Sequence, residues 1–372
     1  MAVPVAERRA ALTLLAGLFG YGLIMQAISG VSTHALLGLA LVYEPMAAFS
    51  ILLIGGVSAL IWLVSPASRR NVETRLFWLI VAGAMAWLLF PFFAMFKQIV
   101  LPTRGFPWDR TFAHVGRWLF GVSPWTLVHG VFGTMAGARL LDFLYSIWLP
   151  LIFVFPQVVA VAFAHSILRF RLILTWFASW VMIGSLAAWA FASAGPIYFN
   201  SLIGPDRSYA DLQINLAHLA RLAQAEGKPI AALEFQPILL NAFRLHDLGP
   251  AGGISAMPSM HVALATLLAI AAFHRNRAWG LLFSAYAVLI WAGSIFFGWH
   301  YFVDGPVAVA MVYGLWWASD PIASSIYRGG VAEGSAAALP AAAASRPAMT
   351  SVQGELSPLP SPPHFRNFLE ST

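Results

Sequence analysis

Uncharged apolar runs long enough to cross a bilayer recur along this chain, and they leave few folds open to it. The first extends from Ala10 to Ile28, behind Glu7, Arg8 and Arg9. About 20 apolar residues cross the hydrocarbon of a membrane as a helix, and inside that layer only helices and closed barrels satisfy every backbone polar group. This run exceeds the roughly 7–15 residue apolar core of a cleaved leader, so it reads as a retained span. With its flanks it gives Ala11–Ser29. Further spans are expected at Pro45–Val64, Leu76–Phe96, Phe143–Ala164, Leu172–Ala194, Pro258–Phe273, Trp279–Phe297 and Val303–Ser319. The set predicts an all-α, polytopic transmembrane helical bundle of about eight spans. Composition agrees, because 60% of residues are hydrophobic and 10% charged, against roughly 25% charged in a soluble domain.

Basic residues then orient the bundle. Arg8 and Arg9, Arg69, Arg70 and Arg75, Arg169 and Arg171, Arg275 and Arg277, and Arg328 all fall on one side, while the short connections Gly30–Glu44 and Gly298–Phe302 hold no Lys or Arg. By the positive-inside rule both termini are cytoplasmic. For a bacterial chain the opposite face of the inner (plasma) membrane is periplasmic. Two long outer segments, 97–142 and 195–257, lie beyond the reach of that rule. In the second, Ser208 and Asp211 form a capping box, Leu212, Leu216, Leu219 and Leu222 recur at helical spacing and Gly227 supplies a stop, so a surface helix is expected. Residues 1–75 read as two added spans, 76–328 as a six-span core, and the Ala-, Ser-, Pro- and Gly-rich 329–372 as a disordered cytoplasmic tail. The formal charge of +6 is scattered between spans, which points to topology rather than nucleic acid. There are no cysteines, which excludes disulfides and thiolate chemistry.

Chemistry concentrates at two span openings. Gly252-Gly253-Ile254-Ser255-Ala256-Met257-Pro258-Ser259-Met260-His261 opens the sixth. Pro258 suits a first helical turn, whose free N–H groups favour an anion such as phosphate; Ser259 adds a hydroxyl and His261 an imidazole. Gly298-Trp299-His300-Tyr301-Phe302-Val303-Asp304 opens the eighth, and a four-residue spacing sets His300 and Asp304 on one helical face. A carboxylate there fixes which ring nitrogen carries the proton and leaves the other free to attack. All four groups fall at outer ends of spans, where ionisable residues mark function by default. Each feature alone has an ordinary structural reading, as a helix start or an interfacial His–Asp pair. No spacing resembles a metal site, and no cofactor is expected.

The Pro258-Ser259-Met260-His261 and His300-to-Asp304 strings resemble the second and third motifs of the type 2 phosphatidic acid phosphatase superfamily. The resemblance implies a six-helix phosphatase-like core, His300 as nucleophile, Asp304 orienting it, His261 protonating the leaving oxygen and Ser259 binding phosphate. Two features depart from that pattern. Ser294 stands where the phosphatases have an Arg, and Gly195–Asn200 offers no cation before Arg207. Lys97 and Arg104 have the separation of the superfamily's first motif, but two spans intervene before Pro258, so the match is read as accidental. A reduced basic cradle resembles the inositol phosphorylceramide synthase-like (aureobasidin-resistance) branch, which transfers a head group from lipid to alcohol. Arg207, Tyr198 and Arg244 are the candidates for completing the phosphate site.

The resulting expectation is a metal-independent transferase or phosphatase acting on a membrane lipid, with an alcohol or polyol as possible acceptor. The alternatives are a plain lipid phosphate phosphatase, a transporter or lipid-binding protein, and an inactive scaffold. A transporter predicts polar groups near the bilayer midplane in matching halves, whereas here they collect at one interface. Reporter fusions at Gly227 and Ser345 should report opposite compartments; a shared compartment would overturn both the topology and the outer site.

Overall fold

Every regular element among the described residues is helical, as the apolar runs predict. The structure is a computed structural model that describes residues 3–65, 71–246, 248–249 and 252–342, with side chains as far as residue 328. The helices are α1 (Val5–Ser29), α2 (Thr33–Val64), α3 (Val72–Arg104), α4 (Asp109–Phe120), α5 (Pro124–Phe132), α6 (Met135–Ala162), α7 (Ser166–Ala190), α8 (Arg207–Ala225), α9 (Ala231–Leu245), α10 (Met260–Phe273), α11 (Arg277–Phe296) and α12 (Asp304–Ala342). Met1–Gly330 is one unit and Val331–Thr372 a second, of which only the helical backbone to Ala342 is described. The sequence composition predicts an unordered tail from Gly329, yet the helix runs on through 329–342; the rest of that tail lies outside the described residues, as do Arg69 and Arg70.

Helices α1, α2, α3, α6, α7 and α11 are long and apolar enough to cross a membrane, whereas α10 has 14 residues. The second span begins earlier than the sequence suggests. Ser32 caps α2 by accepting from the Ala35 N–H at 3.2 Å, so the connection Gly30–Glu44 shrinks to a tight turn. Pro45, which marks helix starts elsewhere, sits inside this helix. Phe49, Leu52, Leu60 and Val64 of α2 stay exposed, as expected of a helix that is apolar all round and meets lipid.

Two apolar clusters stack along the bundle. The larger joins α1, α3, α6, α7, α10, α11 and α12 through residues such as Leu14, Met85, Ile152, Trp176 and Val312. The smaller gathers α4, α5, α8 and α9 around Phe296 and Phe297. Leu212, Leu216 and Leu219 of α8 are buried in it, while Leu222 is exposed. The cap of α8 is Asp206 rather than Ser208: its carboxylate accepts from the Ser208 and Tyr209 N–H groups and pairs with Arg117 at 3.0 Å. An ionised acceptor two residues earlier outcompetes the hydroxyl. Helix α9 is capped from outside, because Asp142 of α6 accepts from the N–H groups of Ala231 and Ala232 at 3.0 and 2.8 Å.

At the opposite end of the bundle the C-terminal carbonyls of α6 collect cations. Arg75, Arg275 and Arg169 donate to the carbonyls of Val161, Ala162 and Phe163, where the negative end of the helix dipole favours them. Arg169 also pairs with Glu7 at 2.6 Å, their side chains 1% and 4% exposed. Glu7 accepts in addition from Trp78, Ser166 and Tyr327. One carboxylate thereby joins α1, α3, α7 and α12 and fixes the first added span to the core. Removing one member of a buried pair strands its partner's charge. Glu7→Gln should therefore lower stability by about 3–5 kcal/mol, seen as a lower Tm in detergent, and the double replacement Glu7→Leu with Arg169→Met should cost less. An unchanged Tm for Glu7→Gln would remove this pair as the lock.

Candidate active site

The helix starts that carry the candidate residues are held together by backbone bonds. Ser259 is the N-cap of α10; its hydroxyl accepts from the Val262 N–H at 3.4 Å, and its own N–H donates to the Asp304 carbonyl at 3.3 Å. Pro258 thus precedes the helix rather than occupying its first turn. Between α11 and α12, the N–H groups of Trp299 and His300 both donate to the Ser294 carbonyl, at 2.9 and 3.2 Å. The His300 ring then reaches back along the start of α12, with Nδ1 lying 3.2 Å from Asp304 Oδ2. The Tyr301 N–H donates to the same oxygen at 3.0 Å. Asp304 is fully buried and His300 4% exposed, so the carboxylate holds the ring in a low-dielectric setting through Nδ1 and leaves Nε2 unengaged by it.

His261 faces this pair, its ring centroid 5.7 Å from that of His300 at an interplanar angle of 68°. Tyr145 stacks on it at 4.3 Å and Trp148 lies against it at 4.1 Å. Trp148 also donates from Nε1 to the His261 carbonyl at 3.0 Å. The ring therefore has little rotational freedom.

A third carboxylate, Asp109 at the start of α4, organises the loop beside the pair. It accepts from the N–H groups of Ala194 and Gly195 and from the Tyr301 hydroxyl at 2.6 Å. Burial pushes its carboxyl up to about 6, against the opposing pull of Tyr301 and the two N–H groups. Burial likewise raises the Tyr301 hydroxyl, and the adjacent Asp109 adds to the rise, so Tyr301 stays a donor. Gly195 has φ +97°, and a Cβ there would lie 2.5 Å from the Trp299 carbonyl oxygen. Only glycine permits that approach. Ser193 completes the joint through its hydroxyl and carbonyl, which accept from Met257 and Ala256.

His261 and His300 open into a cavity of about 450 Å³. Lys97, one half of the spacing read as accidental, lines the same cavity. Two spans separate it from Pro258 in sequence, but the C-terminal end of α3 lies beside the Gly252–Ile254 loop. A Cβ on Gly253, at φ +87°, would come within 2.7 Å of the Lys97 carbonyl oxygen. Residues Phe96–Val100 of α3 form a π-helical turn, an irregularity common at functional sites that re-aims side chains. Arg104 packs over the Trp189 ring at 5.1 Å and does not line the cavity. Three buried donors on residues that line it, Tyr145 Oη, Trp180 Nε1 and Trp299 Nε1, have no hydrogen-bond partner. A lysine, two imidazoles and unpaired donors suit an anion with several acceptor oxygens.

The other sequence candidates are placed differently. Tyr198 lines the cavity, but its hydroxyl donates to the Gln236 carbonyl at 3.0 Å. Arg207 and Arg244 are exposed and outside the cavity lining. Ser259 is buried at the helix cap and is likewise absent from the lining. Ser294 is buried, its hydroxyl turned to the Trp291 carbonyl at 2.7 Å. Asp109, Tyr145 and Trp299 carry no spacing signal that sequence reasoning could have caught. Lys97 carried one, and the linear order of the spans hid it.

A sequence model of the PAP2 superfamily matches residues 110–318, more than half of the chain. No curated protein and no solved structure matches it significantly.

Asp109 gives the site a pH dependence of defined sign. Above about pH 6 the carboxylate is ionised and accepts all its donors; as pH falls through that value one oxygen gains a proton and the Ala194–Gly195 loop loses acceptor strength. kcat/KM should therefore fall on the acid side near pH 6. Asp109→Asn should lower kcat/KM at neutral pH and remove that step from the profile; a profile identical to wild type would dismiss Asp109 as a positioning residue.

Proposed function

The chain belongs to the PAP2 superfamily, and from that premise we propose that it is a membrane phosphotransferase acting on a lipid phosphate, by head-group transfer of the inositol phosphorylceramide synthase-like kind. The observation that carries this reading is the buried His300–Asp304 pair at 3.2 Å facing His261 in one cavity with Lys97. His300 Nε2 attacks phosphorus, the bond from phosphorus to the leaving oxygen breaks, and His261 as imidazolium donates that oxygen its proton. Asp304 stabilises the positive charge that develops on the His300 ring. In the second step His261 takes a proton from the acceptor hydroxyl, whose oxygen attacks phosphorus as the P–N bond breaks. Lys97, Tyr145 Oη and Trp299 Nε1 hold the phosphoryl oxygens, and Ser259 contributes through the start of α10. The site is assigned to the outer face, periplasmic in a bacterium, with both termini cytoplasmic.

Charge favours transfer over simple hydrolysis. Lys97 is the one Lys or Arg among the described residues lining the cavity. A phosphodiester donor carries one negative charge and a phosphomonoester close to two, so a single fixed cation suits the diester. Hydrolysis of a monoester such as phosphatidic acid is the second reading, favoured by the resemblance to the phosphatases. Incubating purified protein with phosphatidic acid, phosphatidylinositol and other phospholipids, with and without polyol acceptors, and weighing the products separates the two. Release of inorganic phosphate from monoesters with no exchange product from any diester would decide for the phosphatase.

The mechanism predicts a graded set of variants. His300→Ala should abolish turnover and acid-labile phosphoenzyme. His261→Ala should slow turnover by roughly 10²–10⁴-fold, and a substrate whose leaving group needs no proton should recover part of its first step. Asp304→Asn should stay folded and slow, because an amide holds the ring but does not stabilise imidazolium. Vanadate should inhibit and chelators leave activity intact. Near-normal turnover by His300→Ala would end the scheme.

A further inference from the structure

The cavity does not stop at the polar groups. From His261 and His300 it continues between α3, α6 and α7 to Tyr43 and Met46 of α2, a helix that precedes the part of the chain matched by the superfamily. Aromatic rings wall this inner portion. Phe90 stacks on Phe153 at 4.1 Å and meets Trp180 edge-on at 5.0 Å, and Phe93 meets Trp180 at 4.8 Å. Tyr43 lies 5.8 Å from Phe90. Gly184 of α7 makes room for this packing, since a Cβ there would come within 2.9 Å of Phe93.

Four lining residues are also exposed on the surface of the bundle: Met46 of α2 at 38%, Leu149 of α6 at 39%, Ser146 of α6, and Phe235 of α9 at 53%. A side chain that both lines a cavity and faces the surroundings stands at its mouth. Ser146 and Phe235 mark an opening beside α9, whereas Met46 and Leu149 mark one between α2 and α6, helices long and apolar enough to cross a membrane, so this second opening faces lipid. An apolar slot walled by aromatic rings is a place for hydrocarbon rather than water.

We infer that α2 and α6 form a lateral portal, between Met46 and Leu149, through which the apolar chain of a lipid phosphate enters, lying in the aromatic slot while its phosphate rests beside Lys97. The inference takes its ligand from the proposed function. It assigns to α2, one of the two added spans, the job of binding the chain. Each methylene buried in such a slot strengthens binding roughly fourfold, so affinity should rise with chain length until the slot is filled.

Photolabelling of the full chain in nanodiscs tests this. The probe is a long-chain alkyl phosphate with a diazirine at the chain end, used on wild type and on His300→Ala. Labelled peptides should come from α2 around Tyr43–Phe49 and from α6 around Leu149–Phe153, and unlabelled alkyl phosphate should compete. Met46→Trp and Leu149→Trp, each narrowing the mouth from a lipid-facing position, should reduce the labelling at least tenfold. Labelling confined to α11, α12 or the outer helices, or unaffected by both tryptophans, would overturn the portal. The readout needs no turnover, so labelling at α2 by a protein that makes no product would refute the enzymatic reading alone. An active protein labelled elsewhere would refute the portal alone.

Discussion

The fully buried carboxylate of Asp304 is the constraint around which the rest of the site is arranged. A carboxylate removed from water is tolerated only with partners, and here one oxygen gathers the His300 ring and the Tyr301 N–H. The same residue's carbonyl receives the Ser259 N–H. Two helix starts that are more than forty residues apart in sequence are thereby brought edge to edge, His261 in the first turn of one and His300 just ahead of the other. Without the carboxylate the His300 ring would lose its orientation, while the alignment of the two helix starts rests on the main-chain carbonyl of the same residue.

The same device recurs at each junction the helices cannot make by themselves. Asp109 receives two loop N–H groups and a tyrosine hydroxyl; Asp142 receives the first N–H groups of α9; Glu7 receives a guanidinium, an indole, a tyrosine and a serine. Van der Waals packing dominates along the apolar spans, where side chains on neighbouring helices are as oily as lipid. Direction comes from these few acidic groups, because a charge-assisted bond has a preferred geometry that methyl contacts lack.

That division explains what the sequence discloses. Apolar runs are local, so the spans could be read directly, with errors where a local signal competed with a stronger one: Pro45 lies within α2, and Asp206 displaces Ser208 as a cap. The His300–Asp304 contact was legible because its four-residue spacing is a property of one helix start. Asp109 and Asp142 were not, since each acts on backbone more than eighty residues away and nothing in their neighbourhood announces it. Lys97 was legible as half of a motif and was set aside because two spans intervene. Sequence order misled there, as a bundle makes neighbours of helices that loops keep apart.

Lys97 also bears on what kind of phosphate the cavity can hold. Removing an anion from water into a site with too little positive charge is unfavourable, and unpaired donors offset this in part by supplying oriented dipoles. Lys97 alone neutralises a monoanion, with the unpaired donors converging on the same space, whereas a dianion is balanced only while His261 also carries its proton; Arg104, Arg207 and Arg244 are turned elsewhere. The charge shortfall and the apolar length of the cavity favour the same occupant. A lipid phosphodiester has one charge to balance and a hydrocarbon chain long enough to draw its binding energy from the slot rather than from ion pairing.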